Sequence, residues 1–288
     1  MAAYHARSHS FPCITHPFLQ QVDVQLCRIK SSVSASTLST SVCGKISALQ
    51  DLYECVEKLL LLPLCQQTLT RELNEEGVAE LLDGSLRLLD VCSSAKDVLL
   101  LTKESTRELQ SSFRRRCGGE AEIKKYLASR KLVKKAIHKA LRKLKGIEKS
   151  RTSSPINLDK EASAMLSMLR EAEAVTATAL ESLLSLISGS NLQTKPSSWS
   201  LVSKLIHHKR VAPEEEFSDN NEFANMDSAL QSLCSPKTSK CGYSMLIQSI
   251  QAQLKNLEQC IQDLEDGLEC LSRRLIKTRV SFLNILNH

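Results

Sequence analysis

The sequence predicts an all-α protein, built as an elongated antiparallel helical bundle with a long heptad-patterned C-terminal helix and a disordered N-terminal tail. Three observations predict this class. Apolar residues make up 42% of the 288 residues but aromatic residues only 4%, with just 9 Gly and 7 Pro. Sheets need β-branched or aromatic strand residues and frequent turns, so this composition, with few aromatic residues, Gly and Pro, favours helices. The other two observations are helical spacing of apolar residues along most of the chain and a sustained heptad pattern near its end.

Helical spacing of apolar residues predicts a series of helices from residue 44 onward. Pro63 separates the first two, because proline ends or kinks a helix. The third helix is expected to break at Gly84, since Asp83 and Ser85 on either side offer a stop and a new N-cap. The predicted helices cover residues 44–62, 64–74, 78–113, 120–149, 159–187 and about 243–287, with one shorter candidate at 200–208.

Residues 1–43 are predicted to be a disordered tail and linker, and residues 44–288 a single helical-bundle domain. The first fifty residues are Ser-rich and hold one acid, Asp23. That composition also loosely resembles an organelle transit peptide, but a disordered tail is the simpler interpretation. Within the domain, an irregular acidic insert is predicted at about residues 189–242.

The C-terminal helix carries the strongest pattern in the chain. Its apolar residues alternate at spacings of three and four, which is the a/d seam of a helix that packs lengthwise against others. The seam residues are Ile250, Leu254, Leu257, Ile261, Leu264, Leu268, Leu271 and Leu275.

This seam fits either a dimerising coiled coil or one member of the chain's own bundle. A parallel dimer would place Arg274 against Arg279 of its partner, and the flanking positions offer no charge complementarity. The apolar stripe also widens at Ile276, Val280, Leu283 and Leu286, as expected of a helix buried on several sides. These features favour the bundle, and we expect a monomer.

One helix is strongly basic. Residues 114–151 contain fifteen Lys or Arg against three Glu, so this segment carries +12 and the rest of the chain −6. Its basic residues would suit an anionic membrane surface, a nucleic acid or a nuclear-import receptor. Alternatively, they form a solvated face that acids of the chain itself neutralise, such as those at 214–227. The candidate residues are Lys124, Lys125, Arg130, Lys131, Lys134, Lys135, Lys139, Arg142 and Lys143.

Among those binding functions, adsorption to an anionic membrane is favoured. Each basic residue near such a surface contributes about 1 kcal/mol, and the sum accumulates quickly. Base reading needs aromatic stacking or base-reading side chains among the charges, and Tyr126 is the only aromatic residue in this helix. We therefore expect no sequence-specific nucleic-acid binding.

The tail contains a short motif of the form Arg-Ser-x-Ser-x-Pro. It resembles the site that 14-3-3 adaptor proteins bind once its second serine is phosphorylated. A phosphoserine dianion suits a cluster of arginines, and the proline turns the chain away. The residues concerned are Arg7, Ser10 and Pro12.

No catalytic, cofactor or metal motif is present in the sequence. There is no phosphate-binding loop, no Gly-x-Ser-x-Gly turn and no Cys-x-x-Cys pair. We therefore expect no enzyme, no cofactor and no metal; an enzyme would need a concave polar site that the sequence does not indicate.

The cysteines and the hydropathy pattern bear on the compartment. The eleven cysteines are odd in number and fall mostly at apolar helix positions, which is typical of buried free thiols in a reducing compartment. Apolar runs are at most four residues long, as at residues 59–62, which is too short to span a bilayer. We expect a cytoplasmic protein, with membrane association or a plastid as alternatives.

Several stretches together resemble a plant-specific helical family of unknown biochemical function that includes the BYPASS proteins. They occur in the family's order and extend over nearly the whole chain: RSHSFP at 7–12, LPLCQQ at 62–67, LDGSLRLLD at 82–90, KKYLASRK at 124–131 and RRLIKTRVS at 273–281. The resemblance implies a plant protein linked to root and shoot development through restraint of a mobile root-derived signal. It implies no catalytic residues.

Overall fold

Helices make up almost all of the described chain. The computed structural model describes residues 17–31, 39–72, 75–115, 119–150, 160–189, 221–234 and 240–286. Within them it has eight α-helices and no strand, which confirms the all-α class. The helices are α1 Pro17–Ser31, α2 Ser39–Leu60, α3 Pro63–Glu72, α4 Glu75–Arg114, α5 Glu120–Ser150, α6 Lys160–Ser188, α7 Glu222–Leu233 and α8 Lys240–Leu286.

Four long helices form the centre of the bundle. Helices α2, α8, α4 and α6 contact one another in a ring. Ion pairs of Glu265 with Lys103 and of Glu258 with Arg107 show that α8 runs antiparallel to α4. With 47 residues, α8 is about 70 Å long, which makes the bundle elongated.

Shorter or outer helices complete the packing. Helix α5 lies against α4 and α6, α1 against α2 and α6, and α7 against α8 and α6. Helix α3 contacts α6 and α8. The outer position of α5 leaves one of its sides open to solvent, which matters for the basic residues it carries.

The predicted tail is shorter than expected, because residues 17–31 form helix α1. Val22, Leu26 and Ile29 are buried, and their spacing of four and three places them on one side of the helix. The Ser-rich composition around them concealed this period. Helix α2 also starts earlier than predicted, at Ser39. Residues 1–16 and 32–38 lie outside the described chain.

The predicted break at Gly84 is wrong, since α4 continues through it. A Cβ at this position would lie 2.6 Å from the Oε2 atom of Glu173 on α6. The absence of a Cβ at Gly84 therefore lets the Glu173 side chain of α6 approach the α4 backbone closely. The glycine at this position serves helix packing and does not end the helix.

Part of the predicted irregular insert is helical and belongs to the core. Asn221 caps α7 through its Oδ1 atom, which accepts from Ala224 N at 3.0 Å, and its Nδ2 donates to Leu186 O at 3.1 Å. Phe223, Met226 and Leu230 of α7 are fully buried. Residues 190–220, including the candidate helix at 200–208, lie outside the described chain.

Helix α8 packs its seam within the chain. All eight predicted seam residues are buried, and Leu264 has no exposed surface. The expected widening of the buried stripe is wrong, however. Ile276 is 51% exposed, and Val280 and Leu283 are also exposed. Among the described helices, none covers these three side chains, so the buried seam remains narrow to its end.

Candidate interaction surface

Helix α5 holds its apolar side against the bundle and its basic side outward. It begins where Gly119 O accepts from Glu122 N at 3.2 Å. Glu120 and Glu122 lie in the first turn, where acids suit the helix dipole. The buried residues recur at helical spacing: Ile123, Tyr126, Val133, Ile137, Ala140 and Leu144. Because this side is fixed, the basic residues on the opposite side must face solvent.

Four of the predicted anion-binding residues form an exposed face without acid partners. Lys131, Lys135, Lys139 and Arg142 are all exposed. Among the described residues, no carboxylate forms an ion pair with any of them. Their spacing of four, four and three residues places them on one side of α5. We call these four side chains the basic face.

Four other predicted residues pair with acids of the chain itself. Hydrogen bonds to Glu120 and Glu108 raise the pKa of Lys124 and Lys125, respectively. These two pairs are solvent-exposed, so they contribute little to stability. The ion-pair distances are 2.7 Å for Lys124–Glu120, 2.9 Å for Lys125–Glu108, 3.0 Å for Lys134–Asp227 and 3.6 Å for Lys143–Asp90.

Arg130 is not a surface residue, which corrects its predicted role. Only 2% of it is exposed. Its Nε donates to Asp227 Oδ1 at 2.9 Å, and its Nη2 donates to Ile187 O at 2.7 Å. The guanidinium carbon lies 5.5 Å from the ring centroid of Phe223. Arg130 therefore joins α5 to α6 and α7 in the interior instead of offering its charge to a partner.

A sequence signal for this pair exists. Arg130 lies four residues after Tyr126 and three before Val133, so it occupies an apolar-face position of α5. Asp227 likewise follows Phe223 by four residues within α7. Opposite charges at core positions of two helices indicate a buried ion pair, because a lone buried charge is too costly.

A groove with a volume of about 380 Å³ lies between α4 and α5. Lys125–Glu108 and Lys143–Asp90 fix these helices in an antiparallel register. In this register Leu132 lies beside Leu101, and both line the groove. Leu132 is 58% exposed and Leu101 36%, so the end of the groove that they line is apolar and open to solvent. We call this feature the α4/α5 groove.

Acids line the α4/α5 groove, and bases continue along α5 beyond its apolar end. Because Leu101 and Leu132 lie between these two charged regions, we call them the apolar middle of this surface. The lining of the groove includes the acids Glu104, Glu108 and Glu122. Lys125 is the one base among the lining residues. Lys135 and Lys139 follow Leu132 by three and seven residues, so they continue the same side of α5 beyond the apolar middle. Asp97 of α4 is an exposed acid on that side. The surface therefore changes from acidic to basic along α5.

The two arginines that argued against a dimer both bond within the chain. Arg274 Nη2 donates to Glu54 at 2.8 Å and its Nη1 to Glu57 at 3.1 Å. Arg279 donates to the backbone oxygen of Leu82 and, at 2.9 Å, to Ser85 Oγ. These contacts attach α8 to α2 and α4 along the sides of its buried seam.

Other predicted features have different outcomes. The motif of Arg7, Ser10 and Pro12 lies outside the described residues. In the described part of the chain, no group of three or more His, Cys, Asp or Glu residues is placed to hold a metal ion. None of the described helices is both long enough and apolar enough to cross a membrane.

Comparison with known proteins gives one match. A family model described as Protein BPS1 matches residues 45–285, which is most of the chain. The matched segment includes all of α3 to α7, the basic face and the seam of α8. No curated protein and no solved structure is similar enough to match.

Proposed function

The chain belongs to the BPS1 protein family, and from this premise we propose that it is a non-enzymatic plant regulator that acts by binding other proteins. The BYPASS-like motifs support a role in root and shoot development. The observation that carries the binding proposal is the basic face, where four exposed cations lack acid partners in the described chain. A partner with an acidic surface would supply them.

Physical reasoning favours binding over a purely solvated role. Four like charges on one side of a helix repel one another, and an acidic partner would remove that repulsion. Such a patch also speeds association with an oppositely charged protein, and the effect weakens with added salt. The other exposed or half-exposed candidate bases of α5 form ion pairs with acids of the chain itself. The positive charge of the basic face is therefore available to an acidic partner.

Affinity capture from plant tissue tests this proposal. The variant Lys135→Glu with Lys139→Glu reverses two charges of the basic face. A matched control, Lys255→Glu with Lys277→Glu, reverses two exposed charges on α8. We expect proteins captured by the wild type and the control to be lost with the basic-face variant, and this difference in capture to shrink as salt is added. Equal capture by all three proteins would contradict the proposal.

The developmental part has its own test. A plant line lacking this protein should show altered root or shoot growth. The wild type and the α8 control should restore growth, and the basic-face variant should not. Full rescue by the basic-face variant would separate the developmental role from this surface.

Anionic membrane binding is the second candidate function. The exposed Leu132 between Lys131 and Lys135 favours it, because an apolar side chain among bases suits a lipid surface. Glu104 and Glu122 at the other end of the same surface oppose it, since anionic headgroups would repel them. Flotation with phosphatidylserine liposomes distinguishes the two functions, and we expect the protein not to float with them. Salt-sensitive flotation that is lost in the variant Lys135→Glu with Lys139→Glu would instead favour membrane binding.

The expected compartment and the tail motif fit the same proposal. None of the described cysteines forms a disulfide, which fits a reducing compartment, and we place the protein in the cytoplasm. We also propose that phosphorylated Ser10 recruits a 14-3-3 adaptor. Capture of 14-3-3 proteins should fall when Ser10 is changed to Ala, and unchanged capture would show that the motif is inactive.

A further inference from the structure

We propose that the α4/α5 groove binds one amphipathic helix of a partner protein, apolar in its middle, acidic at one end and basic at the other. This inference rests on the proposed function, in which the chain acts by binding proteins, and it specifies where the partner lies and what chemistry it has. Grooves between helices commonly receive an amphipathic helix in this way.

The apolar middle of this surface, Leu101 and Leu132, gives the partner helix its anchor. Leu101 and Leu132 lie on facing helices and are both exposed, while Leu109 and Tyr126 below them are buried. A helix lying between α4 and α5 would cover these leucines with its own apolar side chains, and removing that surface from water favours binding.

The charges on either side of the apolar middle set the partner's polarity. Glu104 and Glu122 line the groove, and Lys135 and Lys139 lie beyond its apolar end. Lys125 to Lys139 is a span of about 21 Å along α5, or about 14 residues of a partner helix. Basic side chains at one end of that helix and acidic ones at the other would meet opposite charges at both ends.

Two other occupants fit the groove less well. An anionic membrane would meet the bases but would be repelled by Glu104 and Glu122. A second copy of this chain would present another concave surface, and two facing grooves leave the apolar middle of each unfilled. A single helix is convex and enters the groove, so it matches both the shape and the charge.

Designed peptides test the groove directly. Three helical peptides of about 18 residues share one stripe of leucines and differ in charge: one acidic at one end and basic at the other, one wholly basic and one wholly acidic. Fluorescence anisotropy with the full-length protein measures their affinity. We expect the mixed-charge peptide to bind about tenfold more tightly than either single-sign peptide, as expected when one end of each is repelled.

Variants then locate the binding site. Leu132→Lys should weaken binding of the mixed-charge peptide about tenfold, because it removes a central apolar contact. Leu64→Lys is the matched control, since Leu64 on α3 is also 58% exposed, and it should bind as the wild type does. Glu104→Lys with Glu122→Lys should shift the preference to the wholly acidic peptide. Circular dichroism confirms that each variant remains folded.

Several results would overturn the inference. Failure of the mixed-charge peptide to bind the wild type, or unchanged binding by Leu132→Lys, would remove the groove as a helix site. A dimer that Leu132→Lys dissociates would assign the groove to a second copy, and flotation that Leu132→Lys abolishes would assign it to lipid. Tissue capture that depends on Lys135 and Lys139 but not on Leu132 would overturn this inference and leave the proposed function standing.

Discussion

Arg130 and Asp227 face each other in the interior, where each charge is neutralised by the other. Asp227 is 6% exposed and also receives a bond from Lys134. The Nη1 atom of Arg130 is buried without a hydrogen-bond partner among the described residues. Such a pair adds little net stability, because desolvation of both charges offsets their attraction. Removing one partner is strongly destabilising, however, because the other charge then stays buried without a counterion.

We expect Asp227→Asn to lower the free energy of unfolding by about 3–5 kcal/mol, since the Arg130 charge would remain buried without its counterion. Urea unfolding measures the change. The double variant Arg130→Met with Asp227→Leu should recover most of the loss, because neither charge is then buried. Arg142→Met, on the exposed basic face, is the control and should change little. Equal stability of Asp227→Asn and the wild type would contradict the buried pair.

Buried thiols give a second prediction. Burial raises the pKa of Cys92 and of Cys260 to about 12. The thiolate is the reactive form, so at pH 8 both should react slowly with iodoacetamide in the folded protein. Cys27 is exposed and should react first. Peptide mass spectrometry follows each site, and the difference should vanish in urea. Rapid labelling of Cys92 in the native protein would contradict its burial.

At the scale of the helices, two glycines have different structural roles. Gly84 lies inside α4, and the nearest atoms to an added Cβ belong to the flexible carboxylate of Glu173. Gly189 follows α6 with a φ of +68°, and its N donates to Leu186 O at 3.0 Å. An added Cβ there would lie 3.2 Å from the Cα of Ala224, which is backbone and cannot swing aside.

These surroundings predict opposite effects of the same substitution. Gly189→Ala should destabilise the protein by about 1–2 kcal/mol, the cost of a left-handed conformation for a residue with a Cβ. Gly84→Ala should leave stability unchanged or raise it by up to about 1 kcal/mol, because alanine favours helix and Glu173 can move. Urea unfolding of both variants tests this. A larger loss for Gly84→Ala than for Gly189→Ala would show that α4 and α6 pack more rigidly than described.

For the whole molecule, the buried seam of α8 means that one chain supplies its own helical partners. Helices α2, α4 and α7 all contact α8, and the seam residues have little or no exposed surface. The eight seam residues are therefore already covered within the chain and are not available to a second copy. This supports the expectation of a monomer.

Light scattering coupled to size exclusion should give a monomer at all concentrations. Leu264→Asp should unfold the chain, because it places a charge at a fully buried position and costs at least about 3 kcal/mol. Ile276→Asp, at a 51% exposed position of the same helix, should remain folded and monomeric. A concentration-independent dimer that Leu264→Asp dissociates without unfolding would show instead that the seam joins two chains.

The sequence alone determined the helical class, the extent of most helices and the register of α8. These follow from local periodicity: residues three and four apart share a helix face whatever that face contacts. Helices α1 and α7 show the same period, in Val22, Leu26 and Ile29 and in Phe223, Met226 and Leu230. The sequence did not predict these two helices, because they are short and their surroundings are rich in serine or in acids.

Only the tertiary structure decided which exposed-looking residues are free to bind. Arg130 and Lys131 are neighbours of the same charge, yet one is buried against Asp227 and the other faces solvent. The sequence predicted a helix break at Gly84, but Gly84 lies within α4 at a packing contact with α6. It predicted that Ile276 is buried, but Ile276 is exposed. The physical reason is that burial and ion pairing depend on which helices lie opposite each other. Those helices are far apart in the chain, so local patterns cannot specify their contacts.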